Sequence, residues 1–192
     1  MAENAGKKMK RSQINEIILS AMDFCKALQF HLPPFAFWSV DQWRAAGHEY
    51  DEIRDNRLGW DVTDYGTGEF ERVGLVLFTI RNGNAKRPDR YPKSYCEKIM
   101  IVSEDQLCPD HHHREKREDI INRGGGELII EVCNATADKE LLDTPVVLSI
   151  DGRVVEVPAG STISLRPGES VTLPPYLHHK FWGKSSKGPV LT

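Results

Sequence analysis

The 192-residue chain has no apolar run near the roughly 20 residues that span a bilayer. Its first apolar stretch, Ile14 to Leu19, is short and interrupted by Glu16, so no secretory signal is read there. A cytoplasmic protein with no membrane partner is the expectation. A strong charge of one sign is also missing: the formal net charge is -3, and nothing global points to nucleic acid. The short basic run of Lys7, Lys8, Lys10 and Arg11 reads as a solvated lead-in to a helix. Cysteine is sparse. Cys25, Cys96, Cys108 and Cys133 are scattered without a CxxC pair, so neither a zinc knuckle nor a disulfide framework is suggested. Cys108, close before a histidine run, reads as an ordinary strand residue rather than a ligand. No internal repeat or low-complexity block is present. What remains is a 40% hydrophobic composition with moderate charge, which fits a globular fold with a sizeable core.

The N-terminal part carries helical patterning. Ser12 can cap a helix whose apolar face is Ile14, Ile17, Ile18, Ala21, Met22, Cys25 and Leu28. Pro33-Pro34 forbids its continuation. Ser39 and Gln42 form a capping box for a second helix, which Gly47 could end. After about residue 58 the pattern changes to short apolar runs: Val73 to Ile80, Cys96 to Val102, Leu128 to Val132, Val146 to Ile150, Val154 to Val157, Ser161 to Leu165 and Ser170 to Leu173. Strands of that length, separated by Gly, Pro, Asn and Asp, indicate a β-barrel or sandwich. Asp151-Gly152 predicts a hairpin, and Gly124-Gly125-Gly126 a turn. The expected organisation is a helical arm over residues 1–57 packed on a β-barrel over residues 58–192.

The chemistry concentrates in His111-His112-His113-Arg114-Glu115-Lys116-Arg117-Glu118. On a strand His111 and His113 share one face and His112 takes the other. A bend would bring Glu118 to the same point. A distant fourth donor is offered by His178-His179, of which only one can point inward. Three imidazoles and a carboxylate suit a divalent transition metal such as Mn, Fe, Co, Ni or Zn. The bland alternative is an exposed histidine tract that binds metal adventitiously. Glu118, the glycine turn and the second histidine element weigh against it. His31 and His48, in the helical part, read as surface or core residues.

These residues resemble the cupin superfamily, whose first element is HxH, a few residues, Glu and a downstream Gly: here His111, His113, Glu118 and Gly125. The second cupin element matches Gly168, Pro174 and His179, which favours His179 over His178; Tyr176 replaces a family glycine. The run Lys116 to Gly126, the segments Leu173-Pro174-Pro175 and His179-Lys180-Phe181-Trp182, and Leu58 to Asp64 are similar to the D-lyxose isomerase family of cupins. The resemblance starts at about Met9 and runs to the last residue. It implies a mainly β fold, a cupin (jelly-roll) β-barrel with an N-terminal α-helical arm. It implies a homodimeric sugar isomerase that interconverts D-lyxose and D-xylulose, and often D-mannose and D-fructose. The implied ligands of one divalent ion, manganese first, are His111, His113, Glu118 and His179, and a family lysine near the metal maps to Lys116. The longer members of the family carry an acidic residue in a further C-terminal stretch. No Asp or Glu follows His179 here, so either that stretch lies outside this sequence or the acid comes from elsewhere.

Trp60, Phe181 and Trp182 could line a sugar pocket or pack the core. Two other readings share the ligand set: an iron-dependent cupin oxygenase, and a non-catalytic sugar-binding cupin.

Overall fold

The computed structural model describes residues 8–136, 138 and 140–192. Lys7 and most of the expected polar lead-in lie outside these residues. The chain is mainly β. It forms two compact units, one of Met9–Thr63 with Val76–Met100, the other holding Asp64–Leu75 and Ile101–Thr192.

The first unit carries the helices. α1 spans Arg11–Ala27 and buries Ala21 and Cys25, two members of the apolar face read from periodicity. Its cap is Lys10 rather than Ser12. The Lys10 backbone N–H donates to Gln13 Oε1 at 2.9 Å, which places Ser12 inside the first turn. Gln29, at φ 56°, takes the chain out of the helix before the prolines. α2 spans Val40–Ala45 and starts with the expected capping box: Ser39 Oγ accepts from the Gln42 N–H at 3.2 Å, and Gln42 Oε1 accepts from the Ser39 N–H at 2.8 Å. It ends ahead of Gly47, which instead opens the 3₁₀ turn His48–Tyr50 leading into α3, Asp51–Asp55. His48 and His31 are exposed. Strands β1 (Gly59–Thr63), β2 (Leu75–Arg81) and β3 (Glu97–Val102) follow in spatial order. Fully buried Phe78 packs its ring 5.2 Å from Phe35 and 4.9 Å from Trp60. Trp60 Nε1 donates to the Ala36 carbonyl at 3.0 Å, which makes Trp60 a packing residue of this unit.

In the second unit the strands are β4 (Leu107–His111), β5 (Glu118–Ile121), β6 (Gly124–Gly125), β7 (Leu128–Ala135), β8 (Leu141–Leu142), β9 (Val146–Ile150), β10 (Arg153–Val157), β11 (Ser161–Leu165), β12 (Ser170–Leu173), β13 (His178–Gly183) and β14 (Val190–Leu191). Eight of them form two antiparallel sheets in the orders β10-β9-β12-β5 and β11-β7-β13-β4, while β8 pairs with β7 and β6 with β14. Each sheet buries alternate residues: Leu128, Ile130 and Val132 on β7, Val146 and Leu148 on β9, Val171 and Leu173 on β12. The β9–β10 hairpin turns at Asp151-Gly152, both with positive φ (48° and 79°), as the two-residue loop requires. Gly124-Gly125, expected as a turn alone, is a short strand paired with Leu191 and Val190 of β14. Asn122 is fully buried beside it. Its Nδ2 donates to the carbonyls of Gly126 and Leu165, both at 2.9 Å, and its Oδ1 accepts from the Gly124 N–H at 3.0 Å.

Candidate metal centre

Both sheets of the second unit contribute to one point. His111 closes β4, Glu118 opens β5, and His179 is the second residue of β13, which lies between β4 and β7. β13 pairs with β4 as His179↔His111 and Phe181↔Cys108. Two steps on β13 thus face three on β4, which is a bulge at Pro109-Asp110. The extra residue lets His111 and Cys108 share the face of His179 and Phe181. The rings of His111 and His179 come within 4.2 Å, and Phe181 packs 6.1 Å from His111. Phe181 is therefore a core residue against the ligand cluster.

His113 reaches the same place by a route other than strand alternation. β4 stops at His111, and His113 lies in the connection to β5. Its carbonyl accepts from the Tyr176 backbone N–H at 2.7 Å, which ties that connection to the turn before β13. His112 does point away, as expected. It stacks on His178 with ring centroids 4.5 Å apart. His178 is buried on that opposite side, held by a 2.7 Å bond between its Nδ1 and Asp110 Oδ2.

The structure thus brings together His111, His113, Glu118 and His179, one donor atom from each lying within 4.8 Å of the others. The donor set fits a divalent cation on a specific observation. His179 Nε2 is buried and has no hydrogen-bond partner among the described residues, 3.6 Å from Glu118 Oε2. A buried, unpartnered nitrogen of this kind is costly unless a ligand takes it up. The other nitrogens explain its orientation. His179 Nδ1 sits 3.0 Å from the Leu177 carbonyl and His111 Nδ1 2.8 Å from the Pro109 carbonyl. A carbonyl only accepts, so each Nδ1 carries the proton and each Nε2 offers its lone pair inward.

Glu118 is shared. Oε2 lies 3.0 Å from His113 Nε2, and Oε1 accepts from Lys116 Nζ at 2.8 Å. Burial pushes the Glu118 carboxyl upward, but the hydrogen bonds from His113 and Lys116, with the His179 ring close by, outweigh it and hold the group ionised, well below the usual carboxylate range. Burial, with help from His179 and His113, lowers His111 and favours its neutral, ligating form. Lys116, named as a candidate on resemblance, is at the centre through Glu118 and remains half-exposed.

One neighbour was not legible in the sequence. Tyr65, in the left-handed region at φ 53°, brings its hydroxyl 3.0 Å from Cys108 Sγ. Cys108 is buried, and desolvation raises its thiol to about 11, so it stands as a neutral thiol beside the cluster and not in it. The only hint was the turn-rich stretch Asp64-Tyr65-Gly66-Thr67-Gly68. There the Asp64 carboxylate accepts from the N–H groups of Gly66 and Gly68 and fixes the turn.

The D-lyxose isomerase family model matches residues 9–192. The D-lyxose/D-mannose isomerase of Escherichia coli O157:H7 is 47% identical over 184 residues, covering 95% of this chain and 81% of that protein. The D-lyxose/D-mannose isomerase of Serratia proteamaculans is 45% identical over 185 residues, covering 95% of this chain and 80% of that protein. Among solved structures, the L-ribose isomerase of Acinetobacter sp. DL28 in complex with L-ribose superposes with a TM-score of 0.62 at 19% identity, covering 98% of this chain and 81% of that one. At that identity the likeness is one of fold, and it agrees with the cupin architecture expected from the histidine and glycine spacing. With a family model matching nearly its whole described length and relatives close to half identical, the chain belongs to the D-lyxose isomerase family.

Proposed function

We propose that the chain is a metal-dependent aldose-ketose isomerase that interconverts D-lyxose with D-xylulose, and D-mannose with D-fructose. The observation that carries the reading is the convergence of three imidazoles and one ionised carboxylate, with His179 Nε2 buried and without a hydrogen-bond partner among the described residues. Relatives named D-lyxose/D-mannose isomerase at 45% and 47% identity support the choice of sugars, and favour an isomerase over an oxygenase or a non-catalytic sugar binder with the same ligands. His111, His113, Glu118 and His179 are the proposed ligands, manganese the proposed ion, and a cytoplasmic homodimer the proposed state.

The reaction moves one hydrogen from C2 to C1 and one proton from O2 to O1 through an enediol, leaving the sugar's composition unchanged. A divalent ion bound by the four donors supplies Lewis acidity toward the sugar oxygens that gain negative charge. Lys116 is assigned the proton that passes between O2 and O1. One of its N–H groups is committed to Glu118 Oε1, and two more are available to a sugar oxygen. Glu118 thereby holds the ammonium in place, and proton transfer by such a positioned group is worth about 10² to 10⁴-fold. Phe181 and Cys108 give the site an apolar wall that excludes water from one side.

The test is ketose formation from D-lyxose and from D-mannose, with manganese and again after dialysis against a chelator. Conversion of both sugars that stops on metal removal is expected. Failure to convert either sugar with the metal present sinks the proposal.

A further inference from the structure

On the face of β4 and β13 opposite the metal cluster, His112, Arg114, Thr136, Tyr176 and His178 line a cleft of about 260 Å³. We propose that this cleft binds a small oxyanion of the phosphate class, a ligand distinct from the sugar. Three rings form one wall. His112 stacks on His178 at 4.5 Å and 26°, and on Tyr176 at 6.3 Å and 24°. The backbone builds this wall deliberately. Tyr176 adopts φ 65°, a conformation unfavourable for a bulky residue, and its N–H is fixed to the His113 carbonyl at 2.7 Å.

The chemistry of the lining selects the ligand. Among the described residues it consists of one guanidinium, two imidazoles and two hydroxyls, and no carboxylate. Asp110, beside the cleft, is already taken by His178 Nδ1 at 2.7 Å. That bond fixes the His178 ring and leaves Nε2 as its other polar atom. Arg114 has no ion-pair partner among the described residues, whereas Arg87 and Arg90 reach carboxylates at 2.7 and 2.8 Å. A planar guanidinium beside hydroxyl donors matches a tetrahedral oxyanion, which it can grip with two parallel bonds. A cation is disfavoured, because no acid is among the described lining residues. The volume is below that of usual drug-sized pockets, which limits the occupant to a phosphate with at most a short organic body. The inference stands on residues that none of the proposed sugar chemistry uses, so it holds or fails independently of the isomerase reading.

The experiment is equilibrium dialysis of radiolabelled inorganic phosphate against the full chain, with and without bound manganese. One saturable phosphate per chain is expected in both states. Arg114→Ala is expected to weaken uptake by roughly tenfold or more, and Arg114→Lys by less, since the point charge survives without the fork. Arg153→Ala, on the exposed β9–β10 hairpin, serves as a charge-matched control and is expected to leave uptake unchanged. Absence of saturable uptake would overturn the proposal. So would uptake that requires manganese, which places the anion on the metal, or uptake that Arg114→Ala does not alter.

Discussion

Lys116 and Glu118 are joined by a 2.8 Å bond through Oε1, while the other carboxylate oxygen faces the imidazoles of His113 and His179 at 3.0 and 3.6 Å. One carboxylate thus faces three neighbours from two separate atoms. Removing Lys116 takes away the group on Oε1 and leaves Oε2 where it was. Lys116→Ala is therefore expected to keep a full complement of metal, measured by elemental analysis of the purified chain. Turnover of D-lyxose should fall by about 10² to 10⁴-fold, the usual range for a lost proton-transfer group. Unchanged turnover would return Lys116 to an ordinary half-exposed surface lysine.

His113→Ala probes the ligand set from its least constrained member. His113 lies in the β4–β5 connection, outside both strands, so its loss leaves the sheet pairing of β4 with β13 intact. The variant is expected to fold, to lose most of its metal, and to lose isomerase activity with it. Circular dichroism checks the fold and elemental analysis the metal. A variant that retains both full occupancy and activity removes His113 from the ligand set.

The four clustered residues are legible because a metal centre of the proposed kind asks for fixed residue types at fixed separations, and the sequence carries them as a spacing pattern. How the chain delivers them is less legible. Strand alternation places His111 and His113 on one face, yet β4 ends at His111 and a bulge resets its facing. Pro109 is the available signal, since proline within a strand marks an edge or a bulge. The pairing of Gly124-Gly125 with β14 is invisible locally, because two glycines carry no apolar pattern and their strand character depends on Val190 and Leu191. Gly126 follows from the same closeness: a Cβ there would meet the Gly188 carbonyl oxygen at 2.3 Å. The apolar strands β7, β9, β11 and β12 are readable because each buries alternate residues, and that alternation is written in the sequence. The cleft side of His112 and His178 is readable only as an exclusion from the metal; its ring stack arises where the β4–β5 connection meets the start of β13.

Metal-free protein is expected to lose stability as the pH falls from about 7.5 to 5.5. Burial first, then His179 and His113, lowers the His111 imidazole below its ordinary value of 6.5. The unfolded chain takes up a proton at that ordinary value, while the folded chain does so only at lower pH. Between the two the unfolded state binds more protons, so stability rises with pH across this window and falls on acidification. The group's contribution is fully present above 6.5 and is lost as the pH drops through the folded value. Metal affinity should fall over the same range, because the ion competes with protons for neutral imidazoles. Thermal unfolding of chelator-treated protein at both pH values checks this, with His111→Gln expected to flatten the dependence. A melting temperature that rises on acidification contradicts the assignment.

Asn122 gives the most direct test of how the unit is held together. Its side chain is fully buried and makes three hydrogen bonds, two donated to the carbonyls of Gly126 and Leu165 and one accepted from the Gly124 N–H. Its own backbone N–H donates to the Glu169 carbonyl at 3.0 Å, and its carbonyl accepts from the Gly168 N–H at 2.8 Å. The residue thus binds the start of β6, the end of β11 and the turn before β12 to one another. Truncation leaves buried backbone groups without partners, each costing about 1 to 3 kcal/mol. Water can recover part of that loss through the space vacated. Asn122→Ala is expected to destabilise the fold by roughly 2 to 4 kcal/mol. Asn122→Asp should cost a similar amount, since a carboxylate cannot supply the two N–H donors that Gly126 and Leu165 require. Urea unfolding of the native chain and both variants measures the difference, and losses below about 0.5 kcal/mol would show that the three bonds do not hold the turn together.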